Sequence, residues 1–362
     1  DQPRSRGLGD VYKRQGYGQL VQADNVIASP DQEGIDGART TLHIRDHYSG
    51  LLGQYAAKRR TFENNLQAMT HFGGLKLHGA KVACKSDDAD EIANAARHLG
   101  WITFPSPPGE WPHNTHCERD VGLTKEMSGA VFVQSGFPDR CWPPVLEYTA
   151  QARSFFSDAP IYEYEKGTPQ EDEKKGKTRF EAAFGRAFDG PEYPFGALVY
   201  YKKKEAVPGG SKSVPGYFVG WKIEPGHFYR GYVRVVDQED IRLGKANAFF
   251  PIKIREEEVI FPRTADITFP LYNAKQKAIL TGRDFWADLK DADLPRAEGI
   301  VDQDKSEPGT APTDDARPDP EDKDKSTAEG EGTAPHHLKR HASITFQRML
   351  EIGPTISIPG VK

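Results

Sequence analysis

Between residues 19 and 156 the hydrophobic periodicity switches repeatedly between two residues and three to four, in an order that few folds accommodate. Residues 19–27 read as a buried strand with an acid in its middle, and 41–48 with 51–57 read as a hairpin around Ser49-Gly50. Phe62, Leu66, Met69 and Phe72 then fall at helical spacing, closed by Gly73-Gly74. A strand around 81–84 ends in Ser86-Asp87-Asp88, and Asp88 stands three residues before Glu91, a capping-box spacing for a helix to His98. After a short strand at 101–104 and a proline-rich loop at 105–112 come two helices, 114–134 and 144–156. Three strands, helix, strand, helix, strand, helix, helix imply an α/β unit: a mixed sheet covered by helices.

The rest of the chain changes character. Residues 165–178 read as a charged, weakly structured linker, and 180–270 carry short apolar runs between Pro-Gly turns, the pattern of a small all-β unit. Beyond about residue 290 there is too little apolar side chain to offset the entropy of ordering, so a disordered acidic tail is expected. Residues 291–335 hold 14 acids and 5 bases, against 53 and 48 in the whole chain, which leaves the remainder at a net +4. A weakly basic body permits a polyanionic partner without requiring one.

No apolar run approaches the roughly 20 residues of a membrane helix, so no membrane partner is expected. Three dispersed cysteines, Cys84, Cys117 and Cys141, exclude a disulfide scaffold and point to a reducing compartment. The first methionine is Met69, so the chain is expected to be a fragment. Its opening resembles translated adaptor sequence, and residues 1–15 are set aside.

Three acids stand out by position. Asp24 interrupts an apolar strand, where an ionised carboxylate needs a cation or hydrogen bonds, although an Asp facing water at a strand edge is an equal reading. Asp87 follows a strand directly, where α/β sheets commonly build sites, and where turn and cap residues are also common. Glu118 lies in the first turns of a helix, a place that simple dipole compensation also explains. Together, two strand-borne acids and one helix-borne acid could converge on hard cations suited to phosphodiester chemistry.

The surrounding residues resemble a known family. Gln19-Leu-Val-Gln-Ala-Asp24, Arg45-Asp46-His47-Tyr48-Ser49-Gly50, Lys85-Ser86-Asp87-Asp88-Ala89-Asp90-Glu91 and Asn114-Thr-His-Cys-Glu118-Arg119 look like the successive landmarks of a retroelement integrase core, in family order. Gln134-Ser-Gly-Phe-Pro-Asp-Arg-Cys-Trp142 and Pro215-Gly-Tyr-Phe-Val-Gly-Trp221 resemble segments that follow in the Pol polyprotein of copia-type retrotransposons. Departures are Asp88 for the usual Asn, Ala89 for Gly, and Thr115-His116-Cys117 for Gly-Val-Ala.

The resemblance implies an RNase H-like core over residues 16–157, a charged linker at 158–179, a small all-β barrel-like unit over 180–275 and a mostly disordered acidic stretch from 276 to 362. It implies a polynucleotidyl transferase that trims element DNA ends and joins the 3′ hydroxyl to target DNA. Asp24, Asp87 and Glu118 would be the catalytic acids, holding two Mg2+ or Mn2+ ions, with Asp46 a structural landmark. Element-end DNA and target DNA would be its partners, a homo-oligomer its assembly, and the nucleus its place of action. The alternative is an inactive or recruited nucleic-acid-binding module of the same fold.

Two basic patches are candidates for holding DNA: Lys58, Arg59, Arg60 with Arg119 on the core, and Lys202, Lys203, Lys204 on the β unit, for which a solvated hairpin tip over an ordinary aromatic core is an equal reading. Gly176-Lys177-Thr178 lacks the earlier glycine and strand of a phosphate-binding loop. His113, His116 and Cys117 lack a fourth zinc ligand at a customary spacing.

Overall fold

The structure, a computed structural model, describes residues 16–87, 89–105, 115–202, 213–283 and 285. The segment set aside at 1–15, the loop before Asn114, Lys203, Lys204 and the acidic tail lie outside the described residues.

Strands β1 (Leu20–Ile27), β2 (Thr40–Asp46), β3 (Leu52–Ala57), β4 (Ala83–Ser86) and β5 (Ile102–Pro105) form one sheet in the order β3-β2-β1-β4-β5. The first three are antiparallel, whereas β4 runs parallel to both β1 and β5. This is the mixed sheet flanked by helices that the periodicity implies. Helices α1 (Phe62–Leu77) and α2 (Asp90–His98) cover one face. Helices α3 (Thr115–Ser135) and α4 (Trp142–Phe156) cover the other.

The face under α1 and α2 is apolar because β alternation puts Val21, Ala23, Leu42, Ile44 and Cys84 there. These pack on Met69, Phe72, Leu77, Ile92 and Ala96 in one buried cluster. Helix α1 starts at Thr61, whose hydroxyl accepts from the Asn64 NH. It does not end at Gly73-Gly74 as expected but breaks at Gly74, where φ is +54, and resumes to Leu77. Gly74 is required twice over, because a Cβ there would also stand 2.6 Å from the Gly226 Cα. For α2 the cap is Ala89, with no side-chain cap bond, and Asp88, expected to open a capping box with Glu91, lies outside the described residues.

Residues 158–179 depart most from expectation. Instead of a weakly structured linker they form a closed loop carrying a 3-10 turn (Glu163–Glu165) and α5 (Pro169–Lys174). Its neck is tied by Ala159 N to Lys177 O at 2.9 Å and Arg179 N to Ser157 O at 3.0 Å. Its charges are spent internally: Lys174 is buried with Glu165, Nζ to Oε1 2.7 Å, and also donates to the Tyr48 carbonyl at 3.2 Å. A charged composition suits a linker, but pairing here buries part of it.

Beyond α6 (Arg179–Phe184) lies a second five-stranded sheet: β6 (Leu198–Lys202), β7 (Ser213–Glu224), β8 (Phe228–Asp237), β9 (Ile252–Arg255) and β10 (Val259–Ile260). It is antiparallel throughout, in the order β10-β6-β7-β8-β9, with bulges in the β7–β8 ladder. Among the described residues no ladder joins β9 to β10, so this is an open sheet and not the barrel expected. Helices α7 (Gln238–Arg242) and α8 (Pro270–Leu280) complete it, and α8 runs through the boundary expected at 275/276.

The two sheets share one helix. Val145, Tyr148, Ala152 and Phe155 of α4 belong to the apolar cluster of the β-rich unit, where Tyr148 stacks on Trp221 at 5.3 Å and Phe155 on Phe188 at 3.8 Å. No helix among the described residues is long and apolar enough to cross a membrane.

Candidate functional site

The ladder positions the acids. In the parallel β1–β4 pair Gln22 stands opposite Lys85, so two residues further along the same alternation brings Asp24 beside Asp87 at the end of β4. Both fall on the face covered by α3, whose first turn carries Glu118. Asp87 and Glu118 both lie near enough to Asp24 for their charges to act on it. Burial, the Asp87 charge and the Glu118 charge together push the Asp24 carboxyl from near 3.8 up to about 6, opposed by the Asn25 NH and Lys125. Asp24 is thus not a strand-edge residue facing water: β1 is the middle strand of the sheet, and its Asp is half-buried.

Asp87 Oδ1 is buried and makes no hydrogen bond. Among the described residues no three His, Cys, Asp or Glu side chains are gathered in a metal-holding arrangement. The acids share a field and not yet a point.

The face that presents them is largely polar, although Leu20 and Leu52 are also buried on it. Gln22, Thr41, His43, Arg45 and Gln54 are all buried there. Thr41 Oγ1 donates to Gln54 Oε1 at 2.9 Å, Gln54 Nε2 meets His43 Nδ1 at 2.8 Å, and Arg45 Nη1 donates to Gln22 Oε1 at 2.9 Å. From the helices, Asp120 accepts from Arg45 Nε and Arg153 Nη2, each at 2.5 Å, with Arg179 Nη1 at 3.6 Å. Burial would raise the Asp120 carboxyl, but Arg179, Arg45 and Arg153 together outweigh it and hold the group well below the usual carboxylate range. Burial, chiefly, drops His43 to about 3, so it is neutral at ordinary pH.

Asp46 is buried at the end of β2, where Oδ1 accepts from Gly18 N and Oδ2 from Ser49 N, both at 2.8 Å. Those bonds close the turn, which is the work of a structural landmark. His116 packs edge-on against His47 and Tyr162, and Cys117 is fully buried. Thr178 caps α6 in a capping box with Glu181.

The basic candidates are dispersed. Lys58, Arg59 and Arg60 form an exposed turn after β3, at the sheet end towards which β1 runs, because Ala57, Thr40 and Ile27 share a ladder row. Lys58 lies 3.6 Å from Asp36, and Arg60 pairs with Glu91 at 3.0 Å, at the start of α2. Arg119 is exposed beside Glu118, and Lys202 is exposed at the end of β6. Missed in the sequence were Asp120, Arg153 and Arg179. Their signal was the polar spacing Asp120, Thr124, Ser128 on α3, which matches Thr149 and Arg153 on α4.

No family model matches the chain, and no curated protein matches it. It is similar to a chain of the simian T-cell lymphotropic virus intasome, solved in complex with PP2A regulatory subunit B56 gamma. The identity is 13% and the TM-score 0.35, over 69% of this chain and 81% of that one. It is also similar to the HTLV-2 integrase catalytic core domain, solved with magnesium in a trimeric form, at 12% identity and a TM-score of 0.32, over 46% of this chain and 97% of that one. At these scores the likenesses carry no argument, and the functional reading rests on the chain's own residues.

Proposed function

We propose that the chain is the catalytic part of a copia-type retroelement integrase, which trims element DNA ends and transfers the 3′ hydroxyl to target DNA in the nucleus. The observation that carries the reading is the Asp24 carboxyl, pushed up to about 6 by burial and by Asp87 and Glu118. Asp24 on β1 thus has the charges of an acid after β4 and one at the start of α3 close by, an arrangement that invites cations.

The donor set suits Mg2+ or Mn2+: all three offer hard carboxylate oxygens, and Asp87 Oδ1 has no hydrogen bond to give up. When bound, a pair of such ions supplies Lewis acidity to the attacking and leaving oxygens of a phosphodiester. Asp24 lies on the central strand, Asp87 directly after its neighbour β4, and Glu118 in the first turn of a 21-residue helix, positions from which rigid elements could hold the carboxylates. Arg119, exposed next to Glu118 in the chain, would receive a phosphate. The turn Lys58-Arg59-Arg60 and the run Lys202-Lys203-Lys204 would hold the duplex through salt-sensitive backbone contacts. The core at 16–157 does the chemistry, and the β-rich unit at 180–275 assists in binding, in a homo-oligomer.

A strand-joining assay with Asp87→Asn tests this. Joining should be abolished while DNA affinity stays within about twofold, since that carboxylate carries chemistry and not phosphate binding. An Asp87→Asn chain that joins strands at the unaltered rate sinks the reading. An unaltered chain that binds DNA and joins nothing would make it the inactive module.

A further inference from the structure

Glu118 can act with Asp24 and Asp87 only if α3 lies on the sheet at one particular roll angle. The buried stripe of α3 is Cys117, Asp120, Val121, Thr124 and Ser128, of which Asp120 meets Arg45 of the sheet while Thr124 and Ser128 meet Arg153 and Thr149 of α4. A roll of one-twentieth of a turn moves a carboxylate about 6 Å from the helix axis by about 2 Å. Misplacement by about 1 Å can slow an enzyme about 100-fold.

One side chain in the first two turns of α3 is gripped from three directions. Asp120 receives Arg45 from β2, Arg153 from α4 and Arg179 from the start of α6, and all four side chains are nearly buried. Arg153 Nη1 also donates to the Asp120 carbonyl at 3.1 Å and to Thr124 Oγ1 at 2.7 Å, so it holds the helix by backbone and side chain. Charge-assisted bonds from a planar guanidinium are directional, unlike apolar contact. Asp120 is two residues from Glu118, roughly across the helix from it, so what clamps one sets the other.

We propose that Asp120, held by Arg45, Arg153 and Arg179, is the positioning residue that sets the roll of α3 and thereby where Glu118 stands relative to Asp24 and Asp87. The inference rests on the reading of those three acids as the metal-binding set.

Asp120→Asn keeps the shape and removes the charge, and Asp120→Glu keeps the charge. On the full chain, Mn2+ binding followed by the loss of its free-ion electron paramagnetic resonance signal should weaken about tenfold in Asp120→Asn and recover largely in Asp120→Glu. In strand joining, kcat should fall about 100-fold in Asp120→Asn with KM for DNA unchanged, a split that general loosening of the fold would not give. If Asp120→Asn does not fold, Arg45→Gln, which leaves Arg153 in place, should show the same split at about tenfold. Unaltered Mn2+ affinity and kcat in a folded variant overturn the clamp alone. An unaltered chain that binds no Mn2+ overturns the clamp and the metal reading together.

Discussion

The two faces of the core sheet are held by different physics. Under α1 and α2 the contacts are Val21, Leu42 and Ile44 on Met69, Phe72 and Ile92, which are non-directional and tolerate small shifts. Under α3 and α4 the contacts are hydrogen bonds and ion pairs among Gln22, His43, Arg45, Asp120, Thr124 and Arg153, which fix geometry. Asp24, Asp87 and Glu118 stand on the second face. The apolar face supplies stability in bulk, and the polar face carries the candidate acids.

The sharpest way to break that contrast is to truncate one anchor on each face. Asp120→Ala leaves three arginines uncompensated and should lower stability by about 3–5 kcal/mol in urea unfolding at pH 7. Phe72→Ala should lower it by a similar amount, about 3–5 kcal/mol, through a cavity. The two should part with pH. The Asp120 carboxyl titrates lower folded than unfolded, so its contribution is present above about pH 4, the unfolded value, and is lost as pH falls through the folded one. The Asp120→Ala deficit should therefore shrink below about pH 4, and the Phe72→Ala deficit should not. Equal pH profiles for the two would erase the distinction between the faces.

Next in size is a gain. The Asp24 carboxyl titrates higher folded than unfolded, so its protonated form favours the fold below the unfolded value and that support is lost as pH rises through about 6. At pH 7 without metal, ionised Asp24 should weaken the fold by about 3 kcal/mol. Asp24→Asn should recover about 2–3 kcal/mol there and flatten the dependence between pH 4 and 6. A destabilised Asp24→Asn would mean that the carboxylate is a structural partner and not a strained site group.

The smallest effect is expected at the far end of α3. Ser128→Ala removes the 3.0 Å bond to Thr149 but leaves Thr149 donating to the Val145 carbonyl, so a loss of about 1 kcal/mol in the same urea assay is expected. A loss as large as that of Asp120→Ala would show that the polar face is one cooperative network with no distinct clamp near the acids.

The apolar face was legible in the sequence because Val21, Leu42, Phe72 and Met69 carry plain two-residue or helical periodicity. The acids were legible by position: Asp24 inside an apolar strand, Asp87 after one, Glu118 at a helix start. The polar face was not, because Gln22, Thr41, His43 and Arg45 alternate with apolar residues just as a solvent-facing row does, and only tertiary pairing distinguishes the two. The same ambiguity made residues 158–179 look like a linker, since a sequence does not reveal that Lys174 will be buried on Glu165. The sharing of α4 by both sheets was equally hidden, because its periodicity shows one apolar stripe without saying which sheet receives it.

The central claim is that Asp24, Asp87 and Glu118 together hold a cation. Crystals of the chain soaked in Mn2+ and measured at the manganese absorption edge test it most directly. The account predicts an anomalous peak bounded by all three carboxylates, absent from Asp24→Asn crystals treated alike. No peak there, or one that persists in Asp24→Asn, would contradict it.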